Sequence, residues 1–204
     1  MKTAIILDID RTIFDTNKFY RYLGEAVHNL YGESNFTKFT QFVEDSYKKH
    51  NTARLDMATR FIDADITIIM NETFMEKSFI YPDVLDFVSQ HQNIFVLSMG
   101  LGGEIFQKLK LELSGLDLPL ILIAEHNKSK WIYDNLLKNG KYIIEGREYD
   151  AIILCDDKPE NFYGFGKLPN ARGYLINRTA EMRLSPTIRD ADITKISSLR
   201  EINQ

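Results

Sequence analysis

Ala4-Ile5-Ile6-Leu7-Asp8-Ile9-Asp10-Arg11-Thr12-Ile13-Phe14-Asp15-Thr16 decides how the rest of this chain is read. Four consecutive apolar residues run into two carboxylates spaced two apart. An unbroken apolar run without helical spacing marks a strand covered on both faces, the habit of parallel sheets. Residues two apart in extended chain point the same way, so Asp8 and Asp10 are expected to face one pocket where the strand stops. An Asp-x-Asp pair alone is often only a cap or a turn. Its meaning depends on what the other strand ends carry.

Four further runs read as strands on the same criteria: Ile94 to Ser98, Leu118 to Ala124, Ala151 to Asp156 and Gly173 to Ile176. Amphipathic helices are expected between them. Val84, Leu85, Phe87 and Val88 follow Pro82, Ile105, Phe106, Leu109 and Leu113 repeat at helical spacing, and Ile132, Leu136 and Leu137 run on to a stop at Gly140. Strand and helix alternate, which argues an α/β fold with a parallel sheet and ligands at the carboxyl ends of its strands.

One segment breaks the alternation. From Phe14 to about Ile80 no convincing strand occurs, and the apolar positions form helical stripes: Phe19, Leu23, Val27 and Leu30, then Phe36, Phe39, Val43 and Tyr47. A helical insert with an aromatic core accounts for them. Ile66 to Met70 reads equally as a strand or as the end of a buried helix.

The other strand ends carry polar chemistry. Ser98 opens into Met99-Gly100-Leu101-Gly102-Gly103, a turn whose missing side chains let backbone N–H groups of Met99 and Gly100 approach an anion, a phosphate being the natural guest. A dinucleotide fingerprint fails, because Ile105 stands where a third glycine is wanted. After the third strand, Asn127-Lys128-Ser129-Lys130-Trp131 puts a cation at a helix start, and the fourth strand ends in Cys155-Asp156-Asp157-Lys158-Pro159. Four carboxylates, a hydroxyl and a lysine thus converge on one sheet edge with no thiol or imidazole cluster. Hard oxygen ligands suit Mg²⁺, and so many acids repel one another unless a cation sits among them.

Composition bounds the alternatives. The chain has 204 residues, 44% hydrophobic and 26% charged, a net charge of −4 and one cysteine, so it can bury a core and holds no internal disulfide. No basic run supports a nucleic-acid surface or a membrane face. Thr3 to Leu7 is too short for a signal-peptide core, which makes a reducing, cytoplasmic setting the default. His28, His50, His91 and His126 share no ligand spacing. Cys155 reads as a buried small hydrophobe, Asp15 as a helix cap, and Phe14, Phe19 and Tyr20 as residues where insert and core meet and as candidates for substrate contact. Thr179 to Gln204 carries no assignable chemistry.

With these segments in order, the chain resembles the haloacid dehalogenase-like superfamily of phosphohydrolases. DIDRTIFDT looks like its first motif, VLSMG its second, the lysine after AEHNKS its third and ILCDDKPEN its fourth. The resemblance implies a Rossmann-like parallel-sheet core of residues 1–13 and 81–204, with residues 14–80 similar to a C1-type helical cap. It implies Asp8 as the nucleophile that forms an aspartyl-phosphate and Asp10 as general acid and then base. Thr12, Ser98, Met99 and Gly100 would bind the phosphoryl group. Lys130, preferred to Lys128 because it immediately precedes the apolar helix pattern, would balance its charge. Asp8, the Asp10 carbonyl, Asp156 and Asp157 would hold Mg²⁺, with Asp157 the more direct of the acidic pair. Arg11 stands where the family commonly has glycine. Its side chain reads as solvent-facing, with contact to an anionic substrate as the alternative. The implied activity is hydrolysis of a small phosphorylated metabolite, a nucleoside monophosphate or a sugar phosphate. A sugar phosphomutase and a non-catalytic phosphate- or partner-binding member are the alternatives.

Overall fold

A computed structural model describes residues 1–50, 55–75, 77–100, 103–125, 127–178 and 193–202, with the side chains of Tyr47 and His50 outside that description. Leu101, Gly102, His126 and residues 179–192 and 203–204, named in the sequence reading, also lie outside it.

All five expected strands are present: β1 (Thr3–Leu7), β2 (Ile94–Met99), β3 (Leu120–Ile123), β7 (Ala151–Asp156) and β8 (Ala171–Ile176). With β9 (Ile193–Ile196) they form one sheet in the order β3-β2-β1-β7-β8-β9, every neighbouring pair parallel. Central β1 shows why its residues are apolar without a break. Ile5 and Leu7 join one core cluster with Phe14, Phe19, Val84 and Phe106, whereas Ala4 and Ile6 join another with Phe95, Ile132, Tyr142 and Phe162. Alternate side chains reach opposite faces, and both faces are covered. The chain runs outward from β1 in both directions, and the crevice at such a reversal, beyond the carboxyl ends of the strands, is where ligands bind in open α/β sheets. The register pairs Leu7 with Cys155 and with Val96, which brings Asp8 beside Asp156 and near Ser98.

Among the described residues, three helices fill the interval after β1: α1 (Thr16–His50), α2 (Leu55–Phe61) and α3 (Ile66–Phe74). Asp15 accepts from the Lys18 N–H at 2.9 Å and caps α1, as expected. Gly32, with φ 79°, breaks α1 in the middle. Ile66–Met70 is helix, because the Asp65 side chain accepts from the Thr67 and Ile68 N–H groups and starts α3 there. The insert leaves and returns at one place: Phe14 pairs antiparallel with Ile80, and the Asp15 N–H bonds the Phe79 carbonyl at 2.7 Å. Phe14, Phe19, Phe74 and Phe79 stack into one cluster with centroids 4.9 Å (Phe74–Phe79) to 6.1 Å (Phe19–Phe74) apart. These rings belong to the same continuous core as the β1 face, so Phe14 and Phe19 are packing residues, buried from any ligand.

Helices α4 (Pro82–Gln90), α5 (Glu104–Leu113) and α6 (Lys128–Asn135) complete the α/β alternation. Two expectations need correction. Leu136 and Leu137 do not extend α6; Leu137 begins an antiparallel sheet of β4 (Leu137–Lys138), β5 (Lys141–Ile144) and β6 (Arg147–Tyr149). Asn139-Gly140 and Glu145-Gly146 all take positive φ, the two-residue turns that match strand twist, so Gly140 is a hairpin turn and not a helix stop. Second, the buried face of α5 is Phe106, Lys110 and Leu111, while Ile105 is exposed.

The C-terminal region ties the base of the insert to the core. Half-buried Arg178 donates to both carboxylate oxygens of buried Asp83 at 2.9 and 2.7 Å and to the Thr12 carbonyl at 3.1 and 2.7 Å. Ser198 Oγ and the Leu199 N–H also donate to Asp83, each at 2.7 Å. Burial alone would raise the Asp83 pKa, but these donors outweigh it and hold the carboxyl below its ordinary value. A depressed folded-state pKa stabilises above the unfolded value, near 4, and that stabilisation is lost as pH falls below it. Asp83→Asn strands the Arg178 charge and is expected to cost about 3 kcal/mol at pH 7 by urea unfolding. The deficit against wild type should shrink at pH 3; an equal deficit at both pH values would contradict this account.

Candidate active site

Asp8, Ser98 and Asp156 stand at the carboxyl ends of β1, β2 and β7, and Asp157 follows Asp156. All of the first three are buried. Carboxylate oxygens of Asp8, Asp156 and Asp157 lie within 4.8 Å of one another. The cation among them is Lys128, 2% exposed, whose Nζ donates to Asp156 Oδ2 at 2.6 Å and to Asp8 Oδ1. Lys130 is not at the site. It is exposed and pairs with Asp134 one turn along α6. The reason is helical geometry: Asn127 caps α6 by accepting from the Lys130 N–H, so Lys128 and Lys130 are both helical. Two residues apart on a helix point to nearly opposite sides. With Lys128 inward, Lys130 must face water.

Asp156 is a holder more than a ligand. Its Oδ1 accepts from the Lys158 N–H at 2.9 Å and from Asn161 Nδ2 at 2.8 Å, and its Oδ2 takes Lys128. Asp157 differs: its Oδ1 is buried with no hydrogen-bond partner, and its Oδ2 lies 3.6 Å from Arg11 Nη1. Burial first, and then the Asp8 and Asp156 charges, push the Asp157 pKa up to about 8. Burial likewise raises Asp8, to about 6, against the pull of Lys128. Two buried carboxylates and a half-buried third, with one lysine bonded to the buried two and Arg11 at the edge, crowd negative charge that burial penalises, so the site favours taking up protons or a cation. An all-oxygen donor set with an orphaned carboxylate oxygen fits a hard divalent cation such as Mg²⁺.

Asp10 behaves unlike the expectation of extended chain. β1 ends at Leu7, and the turn that follows, with Arg11 at φ 60°, aims Asp10 by its own geometry. Its side chain is not among the three clustered carboxylates. Oδ1 accepts from Lys110 Nζ at 2.6 Å and Thr16 Oγ1 at 2.7 Å, and Oδ2 from Gln107 Nε2 at 3.0 Å. Burial alone would raise its pKa, but Lys110, Gln107 and Thr16 outweigh that and hold it far below the usual carboxylate range. Arg11 thus occupies a left-handed conformation that costs a non-glycine residue roughly 1 kcal/mol, and its guanidinium reaches Asp157, not solvent alone.

For the phosphate contacts, Thr12 Oγ1 is buried without a partner and Ser98 is buried at the end of β2. Gly100 is not free to bind an anion through its N–H, which donates to the Ile123 carbonyl at 3.0 Å. The loop after β2 leans against β3 there, and that ladder bond takes the group. Met99 is half-buried at the last position of β2. Cys155 is buried and its thiol is pushed well above its ordinary pKa by burial, as suits an inert hydrophobe. His28 pairs with Glu33, and His91 bonds the Phe87 carbonyl, so neither joins the site.

Sequence reasoning missed Lys110, Gln107 and Arg178. Gln107 and Lys110 lie three apart on α5, one face of a helix that begins directly after the second motif. That polar pair was the available signal. Arg178 carried none.

The sequence matches no family model and no curated protein. Solved structures are similar over nearly the whole chain. A haloacid dehalogenase-like hydrolase of Burkholderia xenovorans superposes with a TM-score of 0.67 at 15% identity, covering 100% of this chain and 99% of that one. A HAD phosphatase of Thermococcus onnurineus gives 0.57 at 20% identity, covering 98% and 95%. A 2-haloacid dehalogenase of Pseudomonas syringae gives 0.59 at 14% identity, covering 97% and 95%. At these identities the likeness establishes the fold and leaves the chemistry to the residues at the strand ends.

Proposed function

We propose that this chain, whose fold is that of the haloacid dehalogenase-like hydrolases, is a Mg²⁺-dependent phosphatase acting on a small phosphorylated metabolite, a nucleoside monophosphate or a sugar phosphate. The observation that carries the reading is the clustering of Asp8, Asp156 and Asp157, with Lys128 bonded to the first two and Asp157 Oδ1 left without a partner. A haloacid substrate brings one carboxylate and releases a halide, and gives such an acidic cluster no role. A phosphate dianion with a divalent cation does.

Asp8 is the nucleophile. Lys128 holds its Oδ1, and Oδ2 accepts no hydrogen bond from the described residues, which leaves lone pairs for phosphorus. Asp8 attacks, the P–O bond to the leaving group breaks, and the departing oxygen takes the proton of the phosphate monoanion, relayed by Asp10, which Lys110, Gln107 and Thr16 hold ionised between steps. Water then loses a proton to Asp10 and cleaves the aspartyl-phosphate, and Asp10 passes that proton to the released phosphate, which returns both carboxylates to their first state. Thr12 Oγ1, Ser98 and the Met99 N–H would hold phosphoryl oxygens, and Lys128 would offset charge on phosphate and nucleophile. Asp8, the Asp10 carbonyl and Asp157 would hold Mg²⁺, with Asp156 fixing Lys128 and the loop of Lys158 and Asn161. Bound there, the cation neutralises the acids and draws charge from the phosphoryl oxygens. Residues 14–80 would form the cap that excludes water from a core of residues 1–13 and 81–204.

Inorganic phosphate release from a panel of phosphorylated metabolites tests the proposal. Release should vanish with EDTA and return with Mg²⁺, while 2-chloropropionate yields no chloride. Since the cation displaces the proton that Asp157 holds up to about pH 8, more Mg²⁺ should be needed as pH falls below that value. Phosphate release that ignores EDTA, or chloride release alone, would refute it.

A further inference from the structure

Among the described residues, the most deeply buried charge outside the acidic cluster is Lys110, 2% exposed, on α5. Its Nζ bonds Asp10 Oδ1 at 2.6 Å and lies 5.2 and 5.3 Å from the Phe14 and Phe19 ring centroids. Stability alone does not explain such a pair, since apolar residues of similar volume commonly serve as well or better. Gln107, one turn earlier, adds a second oddity. Its amide must turn Nε2 toward Asp10 Oδ2, because two oxygens would repel, and its Oε1 is thereby left buried with no partner. A buried acceptor left unmade is costly, and this one lies beside the group that meets the leaving oxygen.

We infer that Lys110, seconded by Gln107, is a positioning residue that aims Asp10 Oδ2 at the leaving-group oxygen, an assignment that rests on the phosphatase reading above. Lys110 and Thr16 together fill Oδ1, so Oδ2, with Gln107 as its one partner among the described residues, is the oxygen that can pass a proton. Asp10 needs such a brace because it stands on a turn, whereas α5 is a rigid helix. The proton balance is that of the two steps above: one proton passes from the phosphate monoanion through Asp10 to the alkoxide as the P–O bond breaks, and one passes from water through Asp10 to the released phosphate as the aspartyl-phosphate is cleaved. Lys110 gains and loses no bond.

A positioning role at the leaving group has a signature that a structural role lacks. p-Nitrophenolate departs without a proton, whereas the benzyl alkoxide needs one. With kcat/KM measured on p-nitrophenyl phosphate and benzyl phosphate, Lys110→Met should lose about 100-fold more on the benzyl ester, within the range of general acid catalysis. Lys110→Arg should recover at least about tenfold of that selective loss by restoring a donor to Oδ1. Gln107→Met, which leaves Lys110 in place, should show the same selectivity at about tenfold, and decides the matter if Lys110→Met does not fold. Equal losses on both esters, or none, would overturn the assignment while leaving the phosphatase reading intact. A wild-type protein that hydrolyses neither ester would remove that reading, and this inference with it.

Discussion

Asp8→Asn is expected to abolish turnover of p-nitrophenyl phosphate, a loss of roughly 10⁴-fold or more, because the acyl-phosphate can form only on a carboxylate oxygen. The substitution keeps the shape of the side chain, and the amide oxygen can still accept from Lys128. It also removes one negative charge from three crowded carboxylates, a charge that burial already disfavours. The melting temperature of the metal-free variant should therefore match or exceed that of wild type. Lost activity with intact folding separates chemistry from architecture. Retained phosphate release would place the nucleophile elsewhere.

The second large effect distinguishes two lysines that lie two residues apart. Lys128→Met leaves Asp8 and Asp156 buried without their partner, at a cost of about 3–5 kcal/mol, and on the proposed mechanism removes the charge that would balance the phosphoryl group. A fall of at least about 10³-fold in kcat should accompany the loss of stability, as befits a preorganised charge in a site closed to water. Lys130→Met removes one exposed pair with Asp134 and should leave the unfolding midpoint unchanged and turnover within about twofold of wild type. Urea unfolding and phosphate release measured on both variants decide the point. The reverse ranking would return the role to Lys130.

Much of this site was legible because strand ends are written locally. An apolar run reports a covered strand, the polar residues that stop it mark the sheet edge, and the order of four such ends carried the resemblance to one family. Asp8, Ser98, Asp156 and Asp157 were found in that way, and the structure clusters the three acids. Where the reading erred, it used a local cue against a geometric one. Lys130 adjoins the apolar helix pattern, but the Asn127 cap sets the helix start and turns Lys128 inward. Gly100 has the right residue type for an anion site, yet its N–H belongs to the ladder with β3. Asn139-Gly140 looked like a helix end because two leucines precede it, although Asn-Gly between short apolar runs is a hairpin signal.

The amino-acid sequence by itself determined the α/β alternation, the helical insert and the residue types at each strand end, because periodicity and strand-end composition act over a few residues. Only the tertiary structure decided which cation meets which carboxylate. Lys128 with Asp8, Lys110 with Asp10 and Arg178 with Asp83 are pairs separated by 95 to 120 positions. No local pattern encodes them; they follow from parallel crossovers that bring distant strand ends to one edge, where a buried charge is tolerated only beside its partner.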